Sequence, residues 1–203
     1  MANEVSSSIR FYGNQSVMDL YREIIRRFSE DMRISKQQYD MSAIKRVLFG
    51  LKEEDEFDTY AEVGSKWAHP EDTGILSFRS AWTPLNELQD YITKHAALID
   101  KDVVTLMTYE DESPLFVGAR YCLLKDGNVV SYISEEDMEG WHFVSEDEME
   151  DAIKENEETG EYENIVDIDS INDYLLQCKS NALEDVLNEN PQLDKVKHLL
   201  EVM

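Results

Sequence analysis

Carboxylates are the reactive side chains this sequence offers most densely, and residues 146 to 158 concentrate them. Eight acids (Glu146, Asp147, Glu148, Glu150, Asp151, Glu155, Glu157 and Glu158) stand there against the single base Lys154. As a helix rising about 1.5 Å per residue, the segment is about 20 Å long, with one net charge per roughly 3 Å. Duplex DNA carries about one charge per 1.7 Å of axis. A basic cleft built for DNA could therefore accept this surface in DNA's place. The blander reading is a solvated helix face, which would have to bear the mutual repulsion of those acids. Glu53, Glu54, Asp55, Glu56 and Asp58 make a second, shorter patch of the same kind.

Other constellations are weaker. Asp167-Ile168-Asp169 has the DxD form of a metal clamp for nucleotide transfer but lacks a Gly-rich context, and Asp169 could instead help cap the following helix. Lys66 with His69 could serve a small nucleotide- or metal-dependent enzyme. Lys66 with Trp67 could make a cation–π or ligand-stacking site, or Trp67 could pack on a sheet while the Lys66 stem covers apolar surface. His69, His95, His142 and His198 show no metal-ligand spacing. Cys122 and Cys178 fit neither a metal pattern nor a CxxC motif and are expected to be reduced thiols. No P-loop, EF-hand, GxSxG or dinucleotide fingerprint occurs. The expectation is a chain without catalytic residues, cofactor or metal.

The charge has a direction. Of 203 residues, 44 are acids and 19 are Lys or Arg, for a formal charge of -25. Residues 1 to 52 are slightly basic, with nine bases and six acids, whereas residues 134 to 169 hold sixteen acids and one Lys. Uniform solvation does not produce that asymmetry. Direct binding to nucleic acid or to an anionic membrane is opposed by repulsion, so a basic protein surface is the expected partner. With 42% hydrophobic residues the chain can build a core. Its first residues lack a basic and then apolar signal pattern, and no apolar run approaches a membrane span, so a cytoplasmic location is expected.

The elements that must position these groups follow from periodicity. Residues 5 to 12 alternate as a strand. Ser16 is the expected N-cap of a helix carrying Val17, Leu20, Tyr21, Ile24, Phe28 and Met32 on one stripe. A shorter helix is expected after Asp40 and a strand over 60 to 67. Residues 74 to 82 alternate again, and Thr83-Pro84 should open a helix with the Thr as N-cap and the Pro at N1. Strands follow over 103 to 110, 116 to 124 and 128 to 133, the last two joined at Lys125-Asp126-Gly127. Clustered antiparallel strands with helices on one face mean an α+β fold. Beyond Ile133 the reading is helical. Ser145 and Glu148 make a capping box, Thr159-Gly160 stops the helix, Ser170 caps another, Asn181 to Leu187 forms a short one, and Asn190-Pro191 starts the last. The expected division is an α+β domain over 1 to 133 with an acidic helical subdomain, 134 to 203, packed on it.

Gly64-Ser65-Lys66-Trp67 followed by Ala81-Trp82-Thr83-Pro84 resembles the YubB-like ferredoxin-like domain family of phages and plasmids. The resemblance covers about residues 1 to 133 and includes the opening Met1-Ala2-Asn3, although Glu4-Val5 stands where members often carry Trp-Cys. It implies a ferredoxin-like antiparallel sheet with helices on one face and assigns Gly64, Lys66, Trp67, Ala81, Trp82 and Pro84 to the family motif. It implies no catalytic residues. Phage proteins with such acidic appendages include inhibitors of host defence enzymes, and the size and character of this chain are similar to those of factors that counter DarT-type toxins, which ADP-ribosylate DNA. The expected function is thus a phage-encoded, non-catalytic inhibitor that occupies the basic nucleic-acid-binding surface of a host enzyme. The alternatives are the small enzyme above and a structural or assembly protein that docks through residues 134 to 203.

Overall fold

The computed structural model describes residues 4–20, 22–23, 39–40, 62–63, 75–81, 83–113 and 115–195. Strands β1 (Glu4–Tyr12), β4 (Ile75–Ala81), β5 (Val104–Asp111), β6 (Phe116–Lys125) and β7 (Asn128–Asp137) form one sheet in the order β4-β1-β5-β6-β7. Every pairing in it is antiparallel, and both neighbours of β1 run against it. Short strands β2 (Tyr39–Asp40) and β3 (Glu62–Val63) pair separately. The chain is therefore α+β. The β6–β7 hairpin turns on Asp126 and Gly127, with φ of 52° and 82°. Two successive positive φ values match the strand twist, which is why Asp-Gly serves here.

Helix α1 (Asn86–Ala96) covers one face of the sheet. Its buried side chains include Leu88, Ile92 and Ala96, but also Gln89 and Thr93. The Gln89 amide donates to the Thr105 carbonyl and hydroxyl and to the Arg120 carbonyl, at 3.3, 3.2 and 2.9 Å. Thr93 and Thr105 share a hydroxyl hydrogen bond of 2.6 Å. Helix α3 (Ile171–Glu189) covers the opposite face. Its Cys178, Ala182 and Val186 join Val104, Leu106, Val117, Ala119, Tyr121, Leu123 and Tyr132 in one core. Alternate residues of a strand point to opposite faces. Thr105 and Arg120 therefore meet α1, while Leu106 and Tyr121 meet α3.

The expectation of helices on one face is thus corrected. In β6, seven consecutive residues from Val117 to Leu123 are buried, so both faces of the sheet must be covered. The boundary expected at 133 falls inside β7, which runs on to Asp137, and Met138 belongs to the core that α3 shares. Residues 134 to 203 are not helical throughout. Strands β8 (Trp141–Val144) and β9 (Asn164–Asp167) pair in parallel around helix α2 (Met149–Thr159), making a βαβ unit.

Helix ends differ in detail. Asn14, not Ser16, caps the first helix: its side chain accepts from the Val17 amide at 3.1 Å, and its own amide donates to Asp100 at 2.7 Å. Helix α1 starts at Asn86 rather than at Pro84. The Thr83 carbonyl accepts from the Ser80 hydroxyl, and the Pro84 carbonyl is taken by the Asn86 amide, so the helix cannot begin earlier. No break occurs near Asn181, because α3 holds neither Gly nor Pro between Ile171 and Glu189. The helix expected after Asp40, and most of the strand expected over 60 to 67, lie outside the described residues.

Candidate functional site: the acidic crossover helix

The acids of residues 146 to 158 sit on the crossover between two parallel strands. Ser145 follows β8 in extended backbone, and its amide and hydroxyl donate to the Glu148 carboxylate at 3.4 and 2.6 Å. These hydrogen bonds stabilise the ionised form and hold the Glu148 carboxyl below the usual range. The first turn, Glu146–Glu148, is a 3-10 turn that runs directly into α2. Gly160, at φ 62°, stops the helix, and its amide donates to the Asn156 carbonyl. The left-handed conformation, which glycine adopts without strain, makes that stop.

No side chain of α2 is fully buried. Met149, Ala152 and Asn156 are half-buried on the side toward β9. Asn156 fastens the helix, accepting from the Tyr162 amide at 2.8 Å and donating to the Tyr162 carbonyl at 3.0 Å. His142 stacks on the Tyr162 ring at 4.3 Å. The eight acids face water, with side-chain exposure of 85% at Glu150 and 93% at Asp151. Lys154 reaches Glu150 at 2.7 Å and Asp151 at 3.9 Å, and leaves the others unneutralised. Surface pairs of this kind contribute about 0.3–0.5 kcal/mol and do not cancel the repulsion.

A second acidic row that composition alone did not separate out lies on β7, at an end of the five-stranded sheet: Glu135, Glu136 and Asp137, followed by Glu139. Charges on an end strand also discourage edge-to-edge pairing. Glu135 accepts from the Tyr109 hydroxyl at 2.8 Å and so belongs partly to the sheet's internal structure.

The remaining candidates are placed as follows. Asp167 accepts from the Asp169 amide at 3.1 Å, so the carboxylate of the DxD pattern caps the turn that leads into α3. Among the described residues no group of three or more His, Cys, Asp and Glu side chains is arranged to hold a metal ion. Cys122 and Cys178 are free and buried. They lie on opposite faces, Cys122 beside Asp90 and Cys178 within the α3 core. Ala81 pairs with Glu4 across β4 and β1, and Pro84 is half-buried before α1. Glu53, Glu54, Asp55, Glu56, Asp58, Gly64, Lys66, Trp67, His69 and Trp82 lie outside the described residues. Among the described residues, no helix is long and apolar enough to cross a membrane. No family model, curated protein or solved structure matches the chain.

Proposed function

We propose that the chain is a non-catalytic binding protein that presents its acidic crossover helix to the basic, nucleic-acid-binding surface of another protein. The observation that carries this reading is the exposure of eight acidic residues on one capped element, opposed by Lys154 alone. The capping box, the Gly160 stop and the Asn156–Tyr162 clasp hold the charges in place before any partner arrives. Such preorganisation lowers the ordering cost of association. The charge density is within about a factor of two of duplex DNA.

The motif resemblance gives the biological setting: a phage-encoded anti-defence inhibitor acting in the host cytoplasm, for instance against a DarT-type toxin that ADP-ribosylates DNA. The finer ferredoxin-like assignment rests on that motif and on an antiparallel sheet covered by helices. The antiparallel neighbours of β1 depart from the parallel central pair of a split βαβ unit.

The test is competition. The full chain is titrated against a DNA-ADP-ribosylating toxin and its DNA substrate at low and high salt. Inhibition should appear at low salt and weaken steeply as salt rises. Charge reversal of Glu150, Asp151, Glu155, Glu157 and Glu158 to Lys should abolish it. Equal inhibition by the reversed variant would sink the acidic-helix reading. A pulldown from host lysate, washed at both salts, tests whether another basic protein is the partner instead.

A further inference from the structure

Helix α3 lies off-centre on its face of the sheet. One flank meets β7, where Tyr132 donates to Glu189 at 3.0 Å and accepts from Asn190 at 2.9 Å. The other flank overhangs β5 and β1 and leaves a cavity of about 220 Å³. Arg10 of β1 and Lys179 of α3 both line it, with the Ser8 and Thr108 hydroxyl-bearing side chains between the strands and Leu106, Leu175 and Leu176 as apolar wall.

The two cations carry the argument. Among the described residues no carboxylate lines this cavity. Among the described residues neither Arg10 nor Lys179 forms an ion pair. The Arg10 guanidinium also acts on the Tyr12 hydroxyl, offsetting part of the upward push that burial gives it. Lys179 is half-buried. Burial, and then the neighbouring Arg10 charge, push its ammonium down to about 8. Like charges brought together oppose folding, and a bound anion would relieve both effects.

We propose that this cavity binds a small phosphate monoester, its dianionic head between Arg10 and Lys179 and its organic group against the leucine wall. Two fixed positive charges match the charge of about −1.5 to −2 on a monoester near neutral pH. The Arg fork can take two oxygens of the phosphate and leave another to the Lys179 ammonium. The cavity is smaller than the roughly 300 Å³ at which drug-sized pockets begin, so the organic group is limited to about one ring. The adjoining cleft, about 280 Å³, is lined by Glu4, Glu110, Asp111 and Glu112, and would repel a second phosphate extended that way. The site does not depend on the acidic helix.

Calorimetric titration of the full chain with phenyl phosphate, inorganic phosphate and phenol tests the site. Phenyl phosphate should bind with about millimolar or tighter affinity, inorganic phosphate more weakly, and phenol not detectably. Lys179→Met and Arg10→Met should each weaken phenyl phosphate about tenfold or more, and Lys179→Arg should retain binding. Leu176, 55% exposed at the rim, supplies a variant that spares the core. Leu176→Ala should lower affinity for phenyl phosphate and leave inorganic phosphate unchanged. Failure of phenyl phosphate to bind the wild-type chain, or undiminished binding by both Met variants, overturns the proposal. Equal affinity for inorganic phosphate overturns the monoester assignment.

Discussion

The Tyr109 side chain on β5 passes over Gly118 of β6 and donates to the Glu135 carboxylate on β7, two strands away, at 2.8 Å. Tyr109, Gly118 and Glu135 are register partners in a row. A Cβ at Gly118 would stand 2.5 Å from the Tyr109 ring and hydroxyl, so the absent side chain is what lets the tyrosine cross. Burial, and then Glu135, push the Tyr109 hydroxyl well above its usual range, which keeps it a donor at any ordinary pH.

Gly118→Ala should therefore destabilise the fold by about 1–3 kcal/mol, the usual cost of overpacking. Tyr109→Phe should cost less, about 0.5–1.5 kcal/mol, since only one hydrogen bond is lost. Urea denaturation of both single variants and the double variant checks this. The double variant should cost about as much as Gly118→Ala alone if the clash displaces the hydroxyl from Glu135.

Arg120 supplies a second prediction. Its side chain is 7% exposed and donates to Asp90 at 2.6 Å, to the Gln89 side-chain oxygen at 3.0 Å and to the Asn86 carbonyl at 3.1 Å. Asp90 is its one carboxylate partner among the described residues. Asp90→Ala leaves a buried guanidinium held by neutral acceptors alone. Removing one member of a buried pair costs about 3–5 kcal/mol, but Asp90 is 42% exposed and water screens it, so about 1–3 kcal/mol is expected. Arg120→Met, which removes the charge with its partner left near solvent, should cost less than Asp90→Ala. Thermal melts of the two variants decide the order.

Alkaline pH gives a third. Burial pushes the Cys122 thiol up to about 12, with Asp90 adding to the effect against Arg120. Burial also raises Cys178, Tyr109 and Tyr121. A raised folded pKa means the unfolded chain loses its proton first. The stability is full below about 9 for the thiols and is lost as pH climbs from there toward about 12. Lys179 acts in the other direction: its lowered pKa favours folding as pH rises from about 8 toward the ordinary lysine value. Urea midpoints should fall above about pH 9, because several groups outweigh one. Ellman's reagent should find no accessible thiol in the folded chain and both in urea.

Asn156→Ala should release α2 from the Tyr162 segment. Both side-chain hydrogen bonds to Tyr162 vanish, at a cost of about 1–2 kcal/mol, and the repelling acids then have less to hold them. Hydrogen exchange should speed up over α2 and β9 while the β5–β6 ladder stays protected. Uniform acceleration across the sheet would show instead that α2 is part of the global unfolding unit.

Short-range chemistry was legible in the sequence. The Asp126-Gly127 turn, the alternation that marks β1 and β4, the Ser145–Glu148 capping box and the Gly160 stop each depend on residues within a few positions of one another. So did the crowding of acids between 146 and 158. The coverage of both sheet faces was not read from the sequence, because the buried run of β6 contains Arg120 and its second cover, α3, lies far along the chain. Gln89 and Thr93 are polar residues of α1, and only the sheet beneath shows them satisfying Thr105 and Arg120. The parallel β8–β9 pair was missed because four-residue strands carry too little periodicity to outweigh an acidic, well-capped helix between them. Sequence alone thus determined where the negative charge is and how its helix begins and ends. Tertiary structure decided that the helix is a crossover with every carboxylate in water, and that Arg10 and Lys179 share one cavity. The reason is that caps and turns are local bonds, whereas burial and charge proximity are set by elements far apart in the chain.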